Sequence, residues 1–401
     1  MDTRNGQLVG LSPLELAAGW PLGRCDSGIT ARRGGGAEDA VRTLEEIVLE
    51  VSSGQTCYVA FSGGKDSSAV LAVATRARRR HGLEDPVPVT DVYPGVAGAD
   101  EDEWQQLVVR HLGLRDWIRA DRNAQCDLIG PAAQSILGRY GVTWPPTIAS
   151  NLPLWQEASG HVMLTGEGGD GVFGSHRITE ALSWLRRPTA SPSAILRSLR
   201  AVAPRELRRR AISGQMGFPW LTPAAREAVF AVLGPSVLDE PLHAHRAMVD
   251  EVCAKAITVG LHNMSVVAHD HGTSLFHPLA DPRFLSALAP VIGRFGFPDA
   301  SGLIAALFCD LLPRATIERR TKATFNHAYF GPRSRNFAEE WDGGGVDEEL
   351  VDGRALRAHW RGDQPVLMSY MLLQSAWSAQ RRSEQSPDHP SEEASGASTP
   401  R

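Results

Sequence analysis

Two glycine-rich stretches carry the residue types that could do chemistry. Residues 58–74 read YVAFSGGKDSSAVLAVA and residues 166–174 read GEGGDGVFG. In the first, an apolar run breaks at Ser62, Gly63, Gly64, Asp66, Ser67 and Ser68 and then resumes as an Ala-rich run. A strand that ends in a glycine turn and feeds a helix presents N–H groups and the positive end of the helix dipole to an anion. Gly63 and Gly64 let the backbone approach a phosphate closely. The serine hydroxyls add donors. Asp66 would repel a bare phosphate, but the conflict disappears if Mg²⁺ lies between them, since that ion is commonly held by one or two carboxylates plus phosphate oxygens. A serine–glycine turn capped by Asp66 is the plain alternative. The flanking strand and helix favour the anion site, and the spacing is not that of a Walker loop.

The second stretch offers two carboxylates, Glu167 and Asp170, on a turn built with Gly166 and Gly168. Ligands of parallel sheets bind beyond the carboxyl ends of the strands. If both loops lie there, Asp66 and Asp170 can share Mg²⁺ on a pyrophosphate, leaving Glu167 for proton transfer.

These loops require strands and helices at fixed places. Residues 37–53 carry Val41, Leu44, Val48 and Val51 at helical spacing. CYVAF (57–61) predicts a buried strand, with a helix from about Asp66 to Arg80. VPVTDVYP (87–94) predicts a second strand, then a helix from about Asp100 to Leu112. A further helix is expected within 146–158 and a strand at HVMLT, 161–165. This alternation predicts an α/β fold with a Rossmann-like parallel sheet. After about residue 176 strand signals fade, and the remainder reads as a helical C-terminal region. Residues 1–36 read as an irregular leader. Residues 186–214, rich in Arg, Pro and Ser, read as a mobile insertion, and 383–401 as a disordered tail. One domain is expected over 37–382, with its α/β core ending near 180.

At Ser62–Ser67 the chain resembles the PP-loop ATP pyrophosphatases, which cleave ATP between the α- and β-phosphates. The second loop narrows the resemblance to the synthetase domain of asparagine synthetases and their relatives, the β-lactam synthetases and lasso-peptide cyclases. That group carries Gly-Glu-Gly-x-Asp-Glu-x-Phe-Gly-Gly-Tyr. Gly166, Glu167, Gly168, Asp170, Phe173 and Gly174 match it, whereas Gly171 replaces a Glu and Ser175-His176 replace Gly-Tyr. ADEDEW (99–104), HLGL (111–114) and TIASNLPLW (147–155) are similar to further family segments. In HGTSLFHPLAD (271–281) Pro278 and Asp281 match, while Ser274 and Phe276 replace a usual Glu and Arg. LLPRATIERRTKATF (311–325) resembles the stretch that delivers a catalytic lysine, here Lys322.

The resemblance implies ATP and Mg²⁺ as cofactors and activation of a carboxylate as an acyl-adenylate, which an amine then attacks. It assigns pyrophosphate to Ser62, Gly63, Gly64, Asp66, Ser67, Ser68, Gly166 and Gly168, and metal to Asp66 and Asp170. Glu167 becomes the base for the amine, and Lys322 stabilises developing negative charge. Full asparagine synthetases begin with a glutaminase domain whose nucleophile is an N-terminal cysteine. Here residue 2 is Asp2, and only about sixty residues precede the first loop, so that domain is expected to be missing. The nitrogen would then come as free ammonia, from an ammonia- or peptide-delivering partner protein, or on the substrate, as in lactam formation.

Composition excludes other classes. A net charge of −5 gives no reason to expect nucleic acid or a membrane surface as partner. No apolar run is long enough to cross a bilayer, and MDTRNGQLVG lacks the form of a signal peptide. The five scattered cysteines read as free thiols of a reducing cytoplasm. His269, Asp270, His271 and His277 fit no common zinc spacing and read as polar loop residues. Arg197–Arg210 reads as a solvated helix face, with a clamp for an acidic leader peptide as the alternative. Two further readings stay open: a PP-loop tRNA sulfur transferase, which would want a reactive cysteine pair or an added RNA-binding domain and a basic surface, and an inactive ATP-binding protein.

Overall fold

The computed structural model describes residues 6–26, 28–32, 34–93, 101–121, 126–186, 192–213, 217–321 and 329–385. Five strands form one sheet: β1 (Cys57–Ala60), β2 (Val87–Val92), β3 (Ile118–Asp121), β4 (Val162–Leu164) and β5 (Ser274–Phe276). Their order is β3-β2-β1-β4-β5, and every pairing is parallel. The chain winds from β1 to β3 in one direction and from β4 to β5 in the other. The reversal falls between β1 and β4, where Tyr58 lies opposite Met163. In an open parallel sheet this is where a crevice forms.

Alternation along the strands divides the core. Cys57, Val59, Val162 and Leu164 pack with the helices Ala37–Ser52 and Lys65–Arg80 through Leu44, Val48, Val70 and Leu71. Tyr58, Ala60 and Met163 point the other way, toward Trp155, Met264 and Val267. Successive side chains of a strand face opposite sides, so both faces of this sheet are covered, as a parallel sheet requires. A third core is helical, around Trp220, Trp341, Trp360 and Tyr370.

The predicted α/β class with a helical remainder holds, with four local differences. β3 and β5 were not expected: IRAD carries two charges in four residues and SLF opens on a serine, so neither shows the uninterrupted apolar run that marks the equally short β1 and β4. The leader is not wholly irregular. Pro13–Ala18 is a helix with a Ser12/Glu15 capping box; Ala17 and Ala18 enter the third core, and Lys255 donates to Glu15 at 2.5 Å. Residues 186–214 are not a loose insertion where described: Pro192–Val202 and Arg205–Ser213 are helices. The C-terminal helix Tyr370–Gln385 runs past 382, and the tail expected to be disordered lies, from 386 on, outside the described residues.

Candidate active site

Both glycine loops leave the sheet at the reversal. The first follows β1 and enters the helix Lys65–Arg80 with Gly64 as a cap that has no side chain to offer. The first N–H groups of a helix have no partner inside it. Ser67 folds back over the turn: its Oγ donates to the Gly64 carbonyl at 3.2 Å and accepts from the Ser62 N–H at 3.2 Å. The second loop follows β4 and enters the short helix Gly169–Phe173.

The two loops stack on each other's backbone. A Cβ at Gly166 would lie 2.6 Å from the Ser67 nitrogen, and one at Gly169 would lie 2.5 Å from Cγ of Asp66. Real Cβ contacts do not come this close. Glycine here permits the approach of loop to loop, and with it the approach of Asp66 to the acidic turn.

A cavity of about 570 Å³ opens over the stack. Ser62, Gly64, Asp66, Ser67, Gly166, Glu167, Gly168 and Asp170 line it, and Glu167 and Asp170 are exposed. Gly63 and Ser68 are not on its wall. Ser68 is fully buried, its N–H closing the first helical turn on the Gly64 carbonyl at 3.0 Å. Gly171 also faces away from the cavity: a Cβ there would meet Val252 and Ile257 at 3.3 Å. Its departure from the family pattern therefore removes no side chain from the cavity wall. Asp281 caps the helix Pro282–Ile292, accepting from the Arg283 N–H at 2.8 Å. Lys322 lies outside the described residues, as do 94–100.

Several groups were not anticipated. Arg319 donates to the Gly63 carbonyl at 3.2 Å and, through both terminal nitrogens, to Glu101, one bond being 2.5 Å. Both side chains are about 5% exposed, and the guanidinium lies 4.8 Å from the Trp104 ring centre. A buried pair of this kind resists loss of either partner, because the other charge is left stranded. Gln105 adds a bond to the Ser62 carbonyl at 3.1 Å. The first loop is thus held from behind by the segment that leads to Lys322. Lys65, the variable position of the first motif, lines the cavity and donates to Ser301 at 2.6 Å; burial lowers its pKa against the pull of Asp299 and Asp66.

At the β4–β5 side, His277 joins the wall. Its Nδ1 lies 2.6 Å from Thr165 Oγ1, which accepts from the Glu167 N–H at 3.2 Å, and its Nε2 lies 3.2 Å from Ser265 Oγ. Burial pushes its pKa down to about 4, so the ring is neutral near pH 7. Tyr329 closes the cavity near β2, with its phenol pushed up to about 12 by burial. Its position inside the first motif is the one signal that could have found Lys65. Glu101 and His277 lie in segments that resemble the family's, but nothing local to them or to Tyr329 marks a place on the cavity wall.

A parallel sheet carrying two stacked glycine loops at its switch point defines a nucleotide-binding α/β protein. The chain matches the asparagine synthase family over residues 42–385 and belongs to that family. No curated protein matches it significantly. The family uses ATP and is ligase-like in activity. Among the described residues no helix is long and apolar enough to cross a membrane.

Proposed function

We propose that the protein is an ATP-dependent, AMP-forming amide ligase, and that the stacked loops around one acidic cavity are its active site. The observation that carries this reading is the contact of Gly166 with Ser67 and of Gly169 with Asp66, which gathers phosphate donors and carboxylates on a single cavity. The 62–67 loop and Gly166–Gly168 grip the pyrophosphate portion of ATP. Asp66 and Asp170 would hold Mg²⁺ together with phosphate oxygens, the mix of ligands that ion accepts. When bound, Mg²⁺ neutralises charge on the leaving pyrophosphate.

The substrate carboxylate attacks the α-phosphorus, forming an acyl-adenylate as the bond to pyrophosphate breaks. An amine then attacks the acyl carbon and AMP leaves. Glu167, held at its N–H by Thr165, takes the proton from the amine. Lys322 stabilises negative charge developing in either step. Holding the reactants in line and matching charge supply most of the acceleration in such chemistry.

The cavity wall toward β5 favours a lactam or amide product over asparagine. Met264, Leu275 and a neutral His277 suit a substrate whose non-reacting part is uncharged. The nitrogen then rides on the substrate or arrives through a partner.

The test is release of AMP and pyrophosphate from Mg-ATP, with and without aspartate plus ammonium. AMP without asparagine formation is expected only once the proper carboxylate is supplied, and Asp170→Asn should lower that rate about a hundredfold or more. Aspartate-dependent AMP with asparagine would overturn the substrate reading. No binding of Mg-ATP would overturn the site.

A further inference from the structure

Among the described residues, exposed large apolar side chains concentrate in one window. Ile195, Leu196, Leu199, Val202 and Leu207 are 45–61% exposed. The first four occupy one face of the helix Pro192–Val202, and Leu207 follows across the Ala203-Pro204 turn on Arg205–Ser213. A helix of a globular protein turns such a stripe toward a core. This one turns it outward because its other side is already fastened. The buried Ser198 donates to the Glu180 carbonyl at 2.7 Å, and Arg177 Nε donates to the Ala201 carbonyl at 2.7 Å. The stripe is therefore presented on a fixed support. Clustered exposed apolar groups mark interaction sites, whereas single ones do not.

Charge narrows the occupant. Residues 192–213 hold six arginines and one glutamate in a chain whose net charge is −5. Basic amphipathic helices suit either an anionic bilayer or an acidic amphipathic helix. The segment has no Trp, Phe or Tyr, the anchors of bilayer-surface helices. Arg205 is paired with Asp239 at 3.0 Å and Arg209 with Glu206 at 3.8 Å, but these pairs are exposed and weak, so the segment's basic excess stays available on an ordered pair of helices. That pattern fits an ordered partner better than a diffuse anionic sheet.

We propose that the Pro192–Ser213 helices dock an acidic amphipathic helical segment of a separate protein, its aliphatic face on the stripe and its carboxylates on the flanking arginines. The support helix Arg177–Arg186 follows directly on the 166–174 loop, so the docked protein sits beside the acidic turn of the cavity. This inference does not rest on the ligase reading.

The probe is a short fluorescent helical peptide with leucines along one face and glutamates on its flanks. Its counterpart carries lysines in place of the glutamates. Anisotropy titrations with the full chain should show binding of the acidic peptide, weakened by salt. Binding should fall about tenfold or more in Leu199→Asp, and less in Arg200→Glu. Both positions are exposed, so Mg-ATP affinity and melting temperature, read in the same samples, should stay unchanged. Equal binding of the two peptides, equal binding by the variants, or no binding would overturn the proposal. So would tighter association with phosphatidylcholine vesicles holding about 30% phosphatidylglycerol, which would make the surface a membrane contact.

Discussion

The cavity rim and the Pro192–Ser213 helices handle charge and apolar surface in opposite ways. At the rim, Arg319 and Glu101 are matched and buried, and the Arg319 guanidinium lies over Trp104. On the helices, an arginine-rich segment carries an apolar stripe that stays 45–61% exposed. The rim has settled its interactions within the chain, and a change there should unbalance folding and ATP binding together. The helices pair some of their arginines only at the exposed surface, through Arg205–Asp239 and Arg209–Glu206, and leave the stripe largely exposed, so a change on the stripe should alter what is bound and leave the fold as it was.

Removing the guanidinium should break the comparison hardest. Arg319→Met leaves Glu101 buried without its partner and should cost about 3–5 kcal/mol, seen as an earlier denaturant midpoint. Arg319→Met combined with Glu101→Leu should recover much of it. If the single variant melts like the wild type, the rim is no more settled than the helices.

Acid should act next. His277 is neutral in the folded protein down to about pH 4, but in the unfolded chain it binds a proton near pH 6.5. The unfolded state therefore holds more protons between these values. Stability should fall as pH drops from about 6.5 toward 4, by up to roughly 3 kcal/mol. Urea midpoints across that range should show the slope, and His277→Gln should flatten it.

Loop stacking comes third. Gly166→Ala forces a Cβ onto the Ser67 nitrogen and should cost about 1–3 kcal/mol, with weaker ATP binding. Gly171→Ala meets only side-chain tips at 3.3 Å and should cost less. Calorimetry on the pair would sharpen the claim that the contact between the loops is what matters. Smallest of all, Leu199→Ser on the docking stripe should move stability by less than about 0.5 kcal/mol.

The loops were legible because their chemistry is local. Glycine, serine and carboxylate side by side after an apolar run mean the same thing wherever the chain goes. The first two strands and the flanking helices were legible for a similar reason, since their periods are complete within the segment. β5 was not, because SLF lacks the all-apolar run and the following glycine loop that mark the equally short β4, and its pairing is set by β4. Ser68 was expected to face the phosphates, but helical rotation puts it with Leu71 and Ala72, on the buried side. Glu101 and Arg319 stand 218 positions apart, and sequence patterns of helix and strand do not reach that far. His277 looked like a loop residue because its surroundings come from β4 and from the helix Lys255–Asp270.

The Arg319 clasp also has a consequence in time. Proteins emerge from the ribosome N-terminus first, and Gly63 and Glu101 are made long before Arg319. Until residue 319 has emerged, the first loop lacks its rear support and Glu101 its counter-charge. The nascent chain thus carries a recognisable nucleotide motif that is not yet a braced site. The bracing of the loop arrives late in synthesis, with the segment that holds Arg319.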